Sequence, residues 1–414
     1  MNKVKGMRIK MSDRIEKFIG NYEVFHHKSG LDIIFYEQDA DAFSVYLSVG
    51  AGSVNGQGIN NFWQYGTAHF LEHLLFDSEN KNTSLFANTG AMANAYTDYD
   101  KTVYFVSGYG ELEENLNIML KTIMNHNFGS IDLEKNSAII SSEIMMYKED
   151  ITTKLDRLFF RALFDLHPAQ VDIAGTDESI RKITIDSILL FYHTFYIANK
   201  MCIVIMGKYT KEKIIEIINE YFDQSIIQPN NNLLKHPQYY ESELKQLTEK
   251  SDESYNFFQM GYCYRNKEFE IHNKFANEIL LELLVMKLNK QYGFAEEDYL
   301  ETDVLYVENY YICYCKGILK NENYVYDNII EIIFDLRDNK IEPEEFDLAQ
   351  KKIYAKYVRF LANKNNLFLL LKESFLSDIQ LFDVFRIIRE LSKEDIARFI
   401  RKMKIDKRIK IAVL

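Results

Sequence analysis

Apolar and polar positions alternate over Glu23–Tyr36 and again over Ala42–Val49, and the first run is interrupted by Lys28, Ser29 and Gly30. That pattern predicts a β-hairpin at the start of the chain. Helical spacing takes over at Thr67–Ser78, Leu112–His126, Asp132–Leu166 and Ile185–Phe195, with short strands predicted at Ala91–Tyr96 and Thr102–Ser107. A strand at Met201–Met206 and a helix at Lys211–Phe222 close the first half. The polar stretch Gln228–Glu243 follows, with Pro229, three consecutive asparagines and Pro237, and it reads as a linker. Beyond it the order recurs: a strand at Asn256–Tyr264, a long helix at Phe275–Lys290, a strand at Leu305–Cys315, three further helical stretches and a last strand at Ile409–Val413. The second half therefore reads as a decayed copy of the first. The predicted division is residues 1–227 as one domain, 228–243 as linker and 244–414 as the second domain.

Length agrees with that division, because 414 residues exceed what one hydrophobic core usually organises. A content of 47% hydrophobic and 27% charged residues fits an ordinary globular protein and excludes disordered or fibrous classes. The net charge of -12 argues against nucleic acid as the main partner, since phosphate binding needs a basic face. The N-terminus lacks an apolar signal-like core, and no run long enough to span a membrane follows, so the expectation is a cytoplasmic protein. The four cysteines, Cys202, Cys263, Cys313 and Cys315, form no CxxC pair, which indicates neither a disulfide framework nor a thiolate metal site. Cys313 and Cys315 fall on one side of their predicted strand, as small apolar filling.

One helix carries the candidate chemistry. Gly66–Asp77 reads GTAHFLEHLLFD, with Thr67 as N-cap and Phe70, Leu71, Leu74 and Leu75 as its apolar face. At about 100° per residue, His69, Glu72 and His73 share one polar stripe of that helix. Two imidazoles one turn apart can hold a zinc ion, and a carboxylate beside them can act as a general base toward water. A pair of core histidines satisfied by backbone groups is the alternative. A third ligand must come from elsewhere, and the helix after Asp132 offers Glu134, Glu143, Glu149 and Asp150. Glu143 stands out because Ile139, Ile140, Met146 and Tyr147 surround it at helical spacing, so that its charge needs a partner. A lysine or arginine partner is the competing account of that carboxylate.

These segments resemble the pitrilysin/insulinase family, the inverzincins that include mitochondrial processing peptidase. HFLEHLLF, NAYTDYDKTVYFV (Asn94–Val106), IISSEIMMY and HPAQVDIAGTDESI (His167–Ile180) resemble family segments in the family order. The spacing from His73 to Glu143, 143 - 73 = 70 positions, is similar to that of the family's third ligand. The resemblance implies an α+β fold of two homologous domains, each a mostly antiparallel sheet covered by helices, forming half of a clamshell. It implies one zinc ion on His69, His73 and Glu143, with Glu72 as catalytic base. It also implies substrate binding along Asn94, Ala95 and Tyr96, where an extended peptide adds to a sheet edge.

Two departures stand against the family pattern. A second glutamate usually precedes the zinc-binding one by seven positions, and Asn136 occupies that place. Active members also carry an arginine and a tyrosine, seven apart, in a segment similar to Leu288–Tyr299, where this chain has Asn289 and Glu296. An ionised glutamate repels a developing oxyanion. The resemblance therefore implies a homologous partner subunit that lacks the HxxEH motif and supplies the arginine and tyrosine. The expected function is a zinc metallopeptidase subunit acting on small peptides or leader peptides, in the manner of paired bacterial members found beside antimicrobial-peptide (bacteriocin) maturation genes. The alternative is a non-cleaving assembly or peptide-binding accessory subunit.

Overall fold

The opening alternation folds as a hairpin, turned by Gly30 at φ +91°, a left-handed backbone that glycine adopts without steric cost. The computed structural model describes residues 22–56, 62–76, 83–125, 128, 132–222, 241–243, 246–249, 256–292, 300–319, 325–405 and 408–413. In chain order its first strands and helices are β1 (Tyr22–His26), β2 (Asp32–Glu37), β3 (Ala42–Val49), α1 (Thr67–Phe76), α2 (Ser84–Asn88), β4 (Met92–Thr97) and β5 (Thr102–Tyr109). They continue with α3 (Leu112–Met124), α4 (Leu133–Glu149), α5 (Ile151–Leu163), α6 (Asp177–Ile180), α7 (Ile185–Phe195), β6 (Met201–Gly207) and α8 (Lys211–Tyr221). After these come β7 (Gln246–Thr248), β8 (Asn256–Arg265), α9 (Ile271–Tyr292), β9 (Leu300–Val307) and β10 (Tyr310–Leu319). The chain closes with α10 (Val325–Arg337), α11 (Pro343–Ala362), α12 (Lys364–Leu376), α13 (Leu381–Glu390), α14 (Lys393–Met403) and β11 (Lys410–Val413).

The strands form two sheets, ordered β1-β2-β6-β3-β5-β4 and β7-β11-β8-β10-β9. With β1 set aside, the two orders are the same graph. The β2–β6 and β7–β11 pairs are parallel, and every other pair in both sheets is antiparallel. The chain is thus an α+β fold built twice. In the first sheet β6 is buried along its whole length, and its Met201, Ile203 and Ile205 join Val45 and Leu47 of β3 in one core with Phe70 and Leu74 of α1. Burial on both faces explains the continuous apolar run MCIVIM, which alternation rules alone would not single out as a strand.

Three sequence expectations change. The helix expected over Asp132–Leu166 is broken at Asp150, whose carboxylate caps the next helix by accepting from the Thr153 amide at 2.7 Å. The strand expected over Leu305–Cys315 belongs to a hairpin, β9–β10, whose turn residues Glu308 and Asn309 both have positive φ (49° and 70°). Such a turn matches the twist of its strands, but without glycine it leaves little trace in the sequence. Among the described residues five helices, not three, lie between β10 and β11.

The chain divides into two units, 1–148 with 171–238 and 149–170 with 239–414. Residues 149–170, placed by sequence in the first domain, thus belong with the second. The cause is the apolar face of α5: Leu155, Leu158, Phe159 and Phe160 are buried, and the Phe159 ring meets Tyr314 of β10 edge-on at 5.8 Å. The proposed linker, 228–243, lies outside the described residues except for 241–243. All four cysteines are buried and free, and Cys313 and Cys315 sit together in β10. No helix among the described residues is long and apolar enough to cross a membrane.

Candidate metal centre

The site is built on α1, and a glycine lets that helix start where it does. Gly66 has φ +83°, and its carbonyl accepts the first helical hydrogen bond, from Phe70 N–H at 2.8 Å. A Cβ at Gly66 would stand 2.4 Å from the carbonyl oxygen of Ala174. Gly175, next in that segment and also at positive φ, lies against Gly66 in turn. The resemblance over HPAQVDIAGTDESI therefore has a physical cause, because part of that loop seats the first turn of the histidine helix. Thr67 is not the N-cap expected from sequence; it sits inside the first turn, and its hydroxyl donates to the Gln64 carbonyl at 2.7 Å. Gly66→Ala combines a clash with backbone strain and is expected to cost about 2 kcal/mol or more. A fall in the urea midpoint at unchanged m-value would show it.

From α1, His69 and His73 turn their Nε2 atoms to within 3.3 Å of each other. Glu143, in the middle of α4, brings Oε2 to 3.4 Å from His73 Nε2 and 3.7 Å from His69 Nε2. Tetrahedral zinc with bonds of about 2.0–2.1 Å requires ligand atoms separated by about 3.3–3.5 Å. The three atoms stand close to that spacing, and among the described residues they form the one cluster of His, Cys, Asp or Glu suited to a metal ion. Burial pushes His69 down to about 4, with the neighbouring His73 adding to the shift. The hydrogen bond with His73 leads those holding Glu143 down at about 2. At neutral pH the cluster thus offers a neutral His69 imidazole and an ionised carboxylate, the forms that bind a cation.

The sequence argument for Glu143 changes in one respect. Ile140 is buried, but Ile139 and Met146 are 38% and 59% exposed and Glu143 is itself half-buried, so burial alone does not demand a partner for its charge. What distinguishes it is its convergence with the two histidines. Its ion-pair partners among the described residues are those histidines, not a lysine or arginine. Glu134 and Glu149 are exposed, and Asp150 caps α5.

Glu72 lies beside the cluster on α1, and its Oε2 accepts a hydrogen bond from the Thr97 hydroxyl at 2.9 Å. Burial raises its pKa above the ordinary carboxylate value. Thr97 ends β4, the strand that carries Asn94, Ala95 and Tyr96. Among the described residues this strand pairs with β5 alone, and its other edge is unpaired. Asn94 and Tyr96 are exposed, and Asn94 Oδ1 accepts from the Ala95 amide at 2.8 Å. Sequence reasoning missed Thr97, since nothing local marks a hydroxyl whose partner lies on another element. It also missed the polar role of Tyr147, whose hydroxyl donates to Glu143 Oε1 at 2.8 Å, because a tyrosine one turn from a carboxylate reads first as apolar packing.

Fold and site together define a class, duplicated α+β proteins with an inverted histidine motif in the first unit. Residues 33–177 match the family described as Insulinase (Peptidase family M16), and residues 182–353 match the Peptidase M16 inactive domain. The chain belongs to this family, the pitrilysin/insulinase type. The uncharacterized zinc protease YmfH of Bacillus subtilis is similar at 28% identity over 354 residues, 81% of this chain and 81% of that one. The beta subunit of mitochondrial-processing peptidase from Neurospora crassa is 29% identical over 208 residues, 48% of this chain and 42% of its own. The fold is similar to that of a protease from Helicobacter pylori, with a TM-score of 0.79 at 17% identity, covering 95% of this chain and 99% of that one.

Proposed function

We propose that this chain is the zinc-carrying subunit of a metallopeptidase that hydrolyses small peptides or leader segments of precursor peptides. The observation that carries the reading is the meeting of His69 Nε2, His73 Nε2 and Glu143 Oε2 beside Glu72. The donor set fits one zinc ion, since two imidazoles and a carboxylate leave a fourth position open. Bound there, zinc supplies Lewis acidity that polarises the scissile carbonyl and makes water more acidic. Glu72 takes the proton from the attacking water and returns it to the leaving amine. The Thr97 hydroxyl holds one oxygen of Glu72, leaving the other for that transfer. The open edge of β4 receives the peptide as an added strand, with Asn94, Ala95 and Tyr96 nearest the chemistry. For that, a substrate carbonyl takes over the Ala95 amide from the Asn94 side chain.

A homologous partner completes the oxyanion site in this reading. Asn289, exposed near the end of α9, stands where the resemblance expects an arginine; Glu296, at the tyrosine's place, lies outside the described residues. Incubating a quenched fluorogenic peptide library with the zinc-loaded chain, alone and with a homologue that lacks HxxEH, tests this. Cleavage is expected in the mixture and at least about tenfold less in the isolated chain. Full activity in the isolated chain would remove the partner from the reading. The departures at Asn136, Asn289 and Glu296 favour a second reading, an accessory that binds peptide without cutting it. Peptide binding with no cleavage in either arm supports that one.

A further inference from the structure

A glutamate side chain ends in a soft torsion that two-fold preferences barely fix, so a metal ligand of this type needs something to choose which oxygen faces the ion. Packing does not choose it here. Ile139 and Met146, which flank Glu143 by one turn on either side, are 38% and 59% exposed and confine it only loosely. The family's usual support is also missing. At the place of the second glutamate stands Asn136, and its side-chain amide donates to the carbonyl of Asp132, the residue just ahead of its own helix, at 2.9 Å. What remains is the phenol one turn further along α4. The Tyr147 hydroxyl meets Glu143 Oε1 at 2.8 Å, while Oε2 of the same carboxylate faces His73 and His69. The Tyr147 ring packs against the buried core of the first unit, so its hydroxyl has a fixed origin.

We propose that Tyr147 is the positioning residue of the metal centre, holding Glu143 Oε1 so that Oε2 alone is presented to the ion, in place of the support that Asn136 does not give. The inference rests on the metallopeptidase reading, because it concerns the third ligand of the same site. It predicts a ligand that arrives already aimed, so the protein loses little side-chain freedom when the ion binds. Removing the hydroxyl leaves the carboxylate free to turn away or to spread both oxygens over the ion.

Zinc affinity, measured by competition with a chromophoric chelator, tests this on the full chain. Tyr147→Phe keeps the ring and its packing, so the metal-free variant should melt with the wild type. Its zinc affinity should fall by about 10–100-fold, the range for losing such an outer partner. Asn136→Ala should bind zinc within about twofold of wild type. Tyr147→Phe binding zinc as tightly as wild type would overturn the proposal while leaving the metal site standing. So would a loss seen in Asn136→Ala and not in Tyr147→Phe. Failure of the wild type itself to bind zinc is a different result, one that removes the metallopeptidase reading.

Discussion

Purified His69→Ala protein is expected to lose stoichiometric zinc, while the wild type, dialysed against the same buffer, keeps about one ion per chain. His69 is the most buried of the three candidate ligands at 7% exposure, and among the described residues no other His, Cys, Asp or Glu joins the cluster. The loss of affinity should exceed the 10–100-fold or so that removing a mere outer partner costs, because a donor atom goes and not just its orientation. Metal analysis by mass spectrometry and chelator competition both read it. A second consequence separates metal binding from folding. His69 Nδ1 is buried with no hydrogen-bond partner among the described residues, so removing the ring breaks no hydrogen bond at that nitrogen. The metal-free variant should therefore lose only the stability expected from trimming a buried ring, while the extra stability that zinc gives the wild type disappears. A wild type that binds no zinc, or an alanine variant that binds it equally well, would end the metal reading.

How far the site could be read from sequence follows from how local its parts are. His69, Glu72 and His73 lie within five residues on one helix, and helical geometry alone puts them on a common stripe. Glu143 lies on another element, and sequence could reach it in two ways, through its apolar neighbours and through a resemblance. The first argument turns out weaker than it reads, since Ile139 and Met146 are both partly exposed. Thr97 and Tyr147 carry no signal of their own. A threonine at the end of a strand and a tyrosine in an apolar patch are common, and their meaning comes from carboxylates placed beside them by folding.

The fold divides in the same manner. Strands and helices with a clear period appear where expected, within a residue or two at most ends. The duplication was legible as an order of elements, but its proof is the shared pairing pattern, including the single parallel contact in each sheet. Sequence order cannot supply that, because β2 and β6 pair across more than 160 residues of chain. The transfer of α5 to the second unit was hidden for a related reason. Its apolar face looks alike whichever sheet it covers, and Asp150, which redirects the chain, reads as an ordinary acidic position until its cap on Thr153 is seen.

Replacing Glu72 with glutamine should separate the metal from the chemistry. Glutamine has nearly the same shape, and its side-chain oxygen can still accept the hydrogen bond that Thr97 gives Glu72 at 2.9 Å. The two imidazoles and Glu143 are untouched, so zinc content should stay at the wild-type level. What disappears is a group able to take and return a proton, and general-base catalysis of this kind contributes about 10²–10⁴-fold in rate. Turnover should fall by that factor with KM little changed, since in the proposed mechanism Glu72 acts on the attacking water and not on substrate binding. Stability supplies an independent check. Burial raises the Glu72 pKa, so the folded state holds this carboxylate more easily protonated, and the strain of keeping it ionised grows as pH rises past the ordinary carboxylate range. Glutamine carries no such charge, and the metal-free variant should melt at or above the wild type at pH 7. Turnover unchanged in Glu72→Gln would take the base role from this residue, and loss of zinc together with turnover would mean that Glu72 supports the metal and not the proton transfer.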